Sequence, residues 1–248
     1  MKKLLPAALL ALTLSGFTGL AQMGGPPKTG INAALTKLFG STTAFTARCD
    51  VRLLDSNQKE KMSMPMEFSL LDSKIRAEID MTQIKGQGMS AEQAAQLKVM
   101  GMERVISIFR PDKKTQELLF PAMQACVSMP LPKEELNAIE KEPAMEKSVL
   151  GKETLDGHPC EKRKVILTDA NGKKSEALVW AATDLKEFPL QIQTTEKGDT
   201  VILRYSNVQF AKPDAKLFEL PTGYKSYDSM EAFTFAMMQK MMGGAGRN

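Results

Sequence analysis

The feature that most constrains this chain is an alternation of apolar and polar side chains, which returns repeatedly between short turn signals. After residue 144 it fills five segments, and the breaks between them include Asp156-Gly157 and Asn171-Gly172. Successive side chains of a β-strand point to opposite faces, and Asp-Gly or Asn-Gly between two such runs is a strong hairpin signal. The second half is therefore predicted to be an antiparallel meander with strands near 145–155, 159–168, 175–182, 188–195 and 200–210.

The same alternation runs through the first half of the chain. Apolar residues occupy every second position over 45–53, 62–70 and 75–79, and short turns separate these runs. Pro65 interrupts the second run, and because proline cannot donate a ladder hydrogen bond, it predicts an edge or a bulge there. Two more strands are predicted near 104–110 and 115–129.

Four segments are predicted to be helices. Apolar residues at helical spacing indicate the first, and Ser90 with Gln93 forms a capping-box pattern at the start of the second. The third opens at a proline, and the fourth is rich in Met and Phe. The four segments are 31–39, 90–101, 132–141 and 228–242.

The order of these elements indicates the fold class. About ten hairpin-linked strands and three or four helices, without the strand–helix alternation of parallel α/β folds, predict a mostly β domain of the α+β class. We expect one strongly curved antiparallel sheet, a half-open β-barrel, with helices over its concave face. Because no linker divides the mature chain, residues 31–242 are expected to form a single domain.

The N-terminus has the pattern of a cleavable secretory signal peptide. Lys2 and Lys3 precede an uncharged apolar run over 4–20, and Gly19-Leu20-Ala21 offers a small-residue cleavage site. The mature protein is expected to be a soluble monomer in the periplasm or secreted, with no transmembrane span after cleavage. The expected segments are a signal peptide over 1–21, a flexible mature N-terminus over 22–30 and a disordered tail over 243–248.

The charge balance argues against nucleic acid as a partner. Residues 1–21 hold two lysines and no acids, so their removal lowers Lys+Arg from 33 to 31 against 29 Asp+Glu, and the net charge from +4 to +2. Nucleic-acid binding needs a concentrated basic surface, whereas here the two signs are interspersed.

Several short motifs of the second half carry a family resemblance. They are Gly151-Lys152-Glu153, Leu155-Asp156-Gly157-His158-Pro159-Cys160, Val179-Trp180, Phe188-Pro189-Leu190 and Phe218-Glu219-Leu220-Pro221-Thr222-Gly223-Tyr224. With this order of elements, the chain resembles the periplasmic outer-membrane lipoprotein carrier and its receptor (the LolA/LolB-like family), in an uncharacterised secreted branch. The resemblance is best over 145–224 and implies a half-barrel whose apolar cavity holds acyl chains.

The resemblance and the strand parity together suggest a ligand site. We expect a periplasmic binding protein that holds a lipid or a lipoprotein acyl chain without covalent chemistry and without a cofactor. Each buried methylene of such a ligand gains roughly 0.8 kcal/mol. The predicted lining is Met64, Met66, Phe68, Ile106, Ile108, Trp180, Phe188 and Leu190.

Two other functions remain open. The same fold could serve as an interaction or sensor module for another envelope protein, docking through the Met-rich terminal helix, whose stripe includes Met230, Phe233 and Met237. That stripe is too apolar to stand free in water, so packing on the sheet is the simpler role. Copper handling is the third function, because Met62, Met64 and Met66 have the spacing of thioether Cu(I) sites, although adaptable core packing explains them as well.

An enzyme is the least supported class, because the sequence shows no activated nucleophile, acid–base pair or metal cluster. His158 and Cys160 are two residues apart in an extended segment, but no orienting acid is identifiable beside them. In an oxidising compartment two of Cys49, Cys126 and Cys160 could pair, in any of three ways, or all three could be small buried apolar residues.

Overall fold

A computed structural model describes residues 31–86, 90–196 and 198–244. The predicted signal peptide (1–21) and mature N-terminus (22–30) lie outside the described residues, and so does the end of the predicted tail, 245–248.

Within the described residues, thirteen strands form one sheet. It is open, with β13 at one edge and β8 at the other, in the order β13-β7-β6-β5-β3-β2-β1-β12-β11-β10-β9-β8, while the short β4 pairs with β2. Neighbouring strands are antiparallel except that β13 runs parallel to β7. The strands are β1 (Ala44–Leu54), β2 (Glu60–Leu71), β3 (Lys74–Asp80), β4 (Lys85–Gly86), β5 (Arg104–Arg110), β6 (Thr115–Phe120), β7 (Ala125–Pro130), β8 (Ala144–Leu155), β9 (His158–Thr168), β10 (Lys174–Ala182), β11 (Phe188–Glu196), β12 (Asp199–Gln209) and β13 (Lys225–Tyr227).

The predicted mostly β architecture with one large sheet is confirmed, and the sheet is mixed rather than purely antiparallel. The single strand predicted over 115–129 is wrong, because a 3₁₀ turn at Pro121–Met123 splits it into β6 and β7. Gln124 closes that turn in the left-handed region, at a φ of 47°. A left-handed residue reverses the chain, so the alternation on its two sides belongs to two strands.

Pro65 lies at neither an edge strand nor a bulge. It sits inside β2 opposite Asp50 of β1, but on its other side the pairing of β2 passes from β3, at Met66, to β4, at Ser63. The proline therefore falls where the neighbouring strand is interrupted, and a residue without an N–H fits there.

The turn signals of the second half hold as predicted. Asp156 and Gly157, between β8 and β9, both have positive φ, at 51° and 84°. This is the requirement of the tight hairpin turn that favours Asp-Gly. In the next hairpin the Asp169 carboxylate accepts from the backbone N–H groups of Asn171 and Lys173.

Four α-helices occur in the part of the chain that the structure describes, as expected. Ser90 and Gln93 form the predicted capping box. None of these helices is long and apolar enough to cross a membrane. The helices are α1 (Ile31–Leu38), α2 (Ala91–Val99), α3 (Lys133–Glu140) and α4 (Met230–Gly244).

The two faces of the sheet are covered differently. The face that carries Phe45, Met66 and Phe68 belongs to the main core, and Phe39 after α1 and Phe233 of α4 pack on it; we call it the helix face. On the opposite face, residues 214–224, which lie in the segment between β12 and β13, pack over part of the first half of the sheet, and we call them the strap. Phe218 of the strap packs in a second cluster with Leu71, Ile106, Ile108, Leu119 and Cys126.

Candidate functional site

The centre of the helix face is covered by one ring, that of Phe39. It follows α1 and continues the apolar stripe of that helix, four residues after Leu35. Its centroid lies 4.8 Å from Phe45, 5.9 Å from Phe68, 5.7 Å from Phe188 and 5.6 Å from Tyr205. These four rings stand on β1, β2, β11 and β12, which are adjacent in the sheet. A short helix thus ends in a side chain that occupies the middle of the apolar face.

A small cavity remains beside Phe39, between the end of α1 and strands β8 to β10; we call it the α1 cavity. Its volume is about 70 Å³, around half of the roughly 150 Å³ apolar cavity that accommodates benzene. The apolar part of its wall is Leu38, Phe39, Val165, Val179 and Ala181, and the rest is Gly40, Ser41, Lys147, Arg163, Lys186 and Glu187.

The charged side chains of the α1 cavity are mostly cationic. Arg163, with 13% of its side chain exposed, donates to Glu161 at 2.6 Å and to Glu187 at 3.1 Å. The hydrogen bond from Arg163 lowers the pKa of Glu187, and the charges of Arg163 and then Lys147 lower it further. Lys186 lies over the ring of Phe210, with Nζ 5.1 Å from its centroid.

Five of the eight predicted lining residues do meet on the helix face. Met64, Met66, Phe68, Phe188 and Leu190 all belong to the main core cluster and are buried. The protein's own side chains, Phe39 among them, fill the space above Phe68 and Phe188. The sequence therefore identified much of the apolar face but not the ring that covers it.

The placement of Ile106 and Ile108 on the same face is wrong. They lie opposite Glu78 and Arg76 of β3, whereas Ile79 and Ala77 are the residues that face the same way as Met66 and Phe68. Both isoleucines are packed under the strap instead. Their strand carries apolar residues on both faces, since Val105 and Phe109 are buried as well, so parity alone could not choose between the two faces.

Trp180 belongs to the same core cluster, but it lies on the side of β10 that does not line the α1 cavity. In the sheet it lies opposite Lys162 and Gln191, on the side of β10 opposite to Val179. Its Nε1–H donates to Glu153 at 2.7 Å, and Lys162 Nζ lies 4.7 Å above its ring. Trp180 and Val179 are both 5% exposed, so β10 is covered on both sides, as expected. Val179 and Ala181, not Trp180, line the α1 cavity.

His158 has the orienting acid that the sequence did not reveal, because its Nδ1 lies 2.8 Å from Asp184 Oδ2. Cys160 nevertheless lacks the character of a nucleophile. It is 2% exposed, its thiol donates to the His158 carbonyl oxygen, and burial followed by the charge of Asp184 raises its pKa. A reactive cysteine needs a lowered pKa. A groove of about 330 Å³ opens beside Cys160, and its other walls are Lys152, Glu153, Thr154, Pro159 and Thr183.

The remaining candidates have structural roles in the described residues. Cys49, Cys126 and Cys160 are free and buried. Met62, Met64 and Met66 pack in the main core, so copper handling stays a prediction that nothing here favours. Within the described ranges, no group of three or more His, Cys, Asp and Glu side chains could hold a metal ion.

The comparisons with known proteins find similar folds. No family model and no curated protein matches the chain. Among solved structures it is similar to a LolA superfamily protein from Nitrosomonas europaea (TM-score 0.38, 9% identity, 77% of this chain and 97% of that one). It is also similar to the lipoprotein LppX of Mycobacterium tuberculosis (0.37, 11%, 72% and 92%) and to MucB in the Pseudomonas aeruginosa MucA/MucB complex (0.37, 10%, 77% and 61%). At TM-scores below 0.5 and identities of 9–11%, these matches carry no conclusion about the family, ligand or activity of this chain, and the resemblance stays a prediction.

Proposed function

We propose that this protein is a periplasmic binding protein that holds a lipid or a lipoprotein acyl chain on the helix face, without covalent chemistry. The observation that carries the proposal is the position of Phe39. A ring at the end of a short helix lies over four rings of the sheet and also forms part of the wall of the α1 cavity. When this ring moves away, the α1 cavity and the apolar surface beneath the ring become one continuous site.

The attachment of α1 supports its role as a removable cover. The helix has eight residues, too few to be stable alone, so its position depends on its contacts. They include the packing of Leu35 and Phe39 in the core, a hydrogen bond from the Asn32 N–H to Glu135 of α3 at 3.1 Å, and an exposed ion pair of Lys37 with Glu142. An acyl chain could replace the apolar contacts.

A sheet that curves around the helix face is part of the proposal, and the aromatic distances support it. Phe68 on β2 and Phe188 on β11 are three strand spacings apart, roughly 14 Å in a flat sheet. Yet their ring centroids lie 5.9 and 5.7 Å from the same ring of Phe39, so they are no farther apart than the sum of these distances. Such convergence is what a concave face produces.

Native mass spectrometry tests this function. The wild type and Phe39→Ala would be titrated with a fluorescent long-chain acyl probe and a lipopeptide, with Phe235→Ala as the control because Phe235 is 62% exposed on α4. We expect Phe39→Ala to take up more of either probe than the wild type, because the competing ring is gone, and Phe235→Ala to match the wild type. No uptake by any of the three proteins would overturn the proposal.

A second function, docking of another envelope protein, is favoured by one observation on α4. Phe233 is buried against Phe120, with centroids 4.5 Å apart, so the helix packs on the sheet as the simpler prediction has it. Phe235 and Met238, 62% and 53% exposed, lie on a side of the helix that this packing leaves uncovered. A photo-crosslinker at position 235 in cells would capture a defined envelope partner, and Met238→Ser would reduce that product; crosslinking no stronger than from exposed Lys240 would reject this function.

A further inference from the structure

We infer that the ligand of the α1 cavity is a single-chain amphiphile whose polar end carries a negative charge, held by Lys147, Arg163 and Lys186. This inference rests on the proposed function and specifies the ligand class of the same site. It comes from the charged side chains around the cavity, which contribute nothing to the binding of a hydrocarbon tail.

The sheet register places cations directly beside the apolar wall. Lys147 of β8 lies opposite Val165 of β9, and Arg163 lies opposite Val179 of β10. All four side chains therefore share one face and line the same cavity. A chain whose tail lies against the two valines would have its polar end within reach of the two cations.

Two of the cations are available for a ligand. Among the described residues, neither Lys147 nor Lys186 has a carboxylate within ion-pair distance; the charge of Lys147 acts on Glu187 from farther away, and Lys186 Nζ lies 5.1 Å from the centroid of the Phe210 ring. A tail that lies beside these two exposed cations binds more favourably when the head of the ligand is an anion, because opposite charges attract. A cationic head would be repelled, and a neutral head would gain no such attraction.

Arg163 can exchange one of its partners. Its bond to Glu161 joins two largely buried side chains, whereas Glu187, its other partner, is 63% exposed. A carboxylate or phosphate head that displaced Glu187 would meet the planar donor fork of Arg163, which binds either group in a bidentate manner. Glu187 is the only carboxylate among the residues of the cavity wall, against three cations. If the head of a ligand displaced Glu187, the three cations would remain in place to bind that head.

Binding of four ligands with identical tails tests the inference. They are a long-chain fatty acid, the corresponding alkyl phosphate, fatty alcohol and alkyl trimethylammonium, each titrated by competition with the acyl probe, and inorganic phosphate is titrated separately. We expect the acid and the alkyl phosphate to bind about tenfold more tightly than the alcohol. This preference should shrink at high salt, because the cations are partly exposed.

The decisive variant is Lys147→Gln with Lys186→Gln. The matched control is Lys173→Gln with Lys174→Gln, an equal loss of charge at the exposed end of the β9–β10 hairpin. The first should reduce the preference for the acid severalfold, since only Arg163 remains, and leave the affinity for the alcohol unchanged; the control should alter neither. Equal binding of acid and alcohol by the wild type would overturn the anionic head while the proposed function stands. Inorganic phosphate that binds as tightly as the alkyl phosphate would also overturn it, and failure of every amphiphile to bind would reject the proposed function itself.

Discussion

The ring of Phe39 stacks on that of Phe188 with centroids 5.7 Å apart and an angle of 27° between their planes. Phe39 follows α1, the first described helix, and Phe188 is the first residue of β11 in the second meander. The position of α1 therefore depends on strands that come much later in the chain. This contact joins the N-terminal helix to the half of the sheet that carries the family resemblance.

Replacing Phe39 by alanine should destabilise the protein by about 3–5 kcal/mol, the usual loss for a buried phenylalanine. The cavity left behind would merge with the α1 cavity. An apolar probe should therefore stabilise the variant more than it stabilises the wild type. Urea unfolding with and without the probe measures both effects.

Phe235→Ala is the matched control for this experiment, since the same atoms are removed from an exposed site. It should change the free energy of unfolding by no more than about 0.5 kcal/mol. If Phe39→Ala and Phe235→Ala lost the same amount of stability, the side chain of Phe39 would not be buried as described.

Arg110 holds the strap in place through hydrogen bonds and ion pairs, so its substitution should lower the free energy of unfolding. Its side chain is almost fully buried, forms two hydrogen bonds with Asp112 at 2.9 and 2.8 Å, and lies 2.9 Å from Glu219. It also donates to the Phe218 carbonyl oxygen. Arg110→Met should lower stability at neutral pH by about 2 kcal/mol, because the buried carbonyl loses its donor and the carboxylates lose their partner.

The pH dependence separates this role from simple packing. The hydrogen bonds from Arg110 are the main cause of the lowered pKa of Asp112 and of Glu219. A lowered folded-state pKa contributes stability above the ordinary values of 3.8 and 4.5, and that stability is lost as the pH falls below them. The difference between wild type and Arg110→Met should therefore narrow from pH 7 to pH 3, modestly because both carboxylates are about half exposed. Lys113→Met, which breaks only the exposed pair with Glu219, should cost less than about 1 kcal/mol.

Trp180 provides a fluorescence test of the polar side of β10. It is the only tryptophan, so its emission reports one site. Glu153→Ala removes the acceptor of its buried N–H, which should lower the free energy of unfolding and shift the emission maximum. Glu146→Ala, on the same edge strand, should change neither the stability nor the emission maximum. If the two variants had the same spectrum, the indole would not be held by Glu153.

The hairpins of the second half could be predicted because their turn residues indicate the backbone conformation that each turn needs. Asp156 and Gly157 both need positive φ, which glycine adopts freely and aspartate tolerates, so the strand ends follow from the sequence. The Pro121–Met123 turn gives a weaker signal, since its left-handed residue is Gln124. The sequence therefore does not indicate the break between β6 and β7.

The candidate site could be predicted only in part. The alternation around Met66 and Phe68 fixes their face, because the intervening residues are polar. In β5 no such contrast exists, and Ile106 and Ile108 were assigned to the wrong face. The spacing of Phe39 from Leu35 could have placed that ring on the helix stripe. Nothing local identifies Arg163 or Lys147, because their meeting depends on the register of β8 and β9.

Alkaline pH should weaken the core at Cys49. Burial is the largest cause that raises the pKa of this thiol, with the charge of Asp50 second, and burial also raises the pKa of Tyr205 on the neighbouring strand. A raised folded-state pKa means that the stability it contributes is present below the ordinary thiol pKa of 9.0 and is lost as the pH rises above it. The free energy of unfolding should thus fall between pH 8 and pH 10.

Cys49→Ala should be less stable than the wild type at pH 7, because a buried sulfur is lost. Its free energy of unfolding should nevertheless fall less steeply over the same pH range, and urea unfolding across this range measures both slopes. Parallel slopes would mean that Cys49 does not titrate on unfolding and would contradict the prediction.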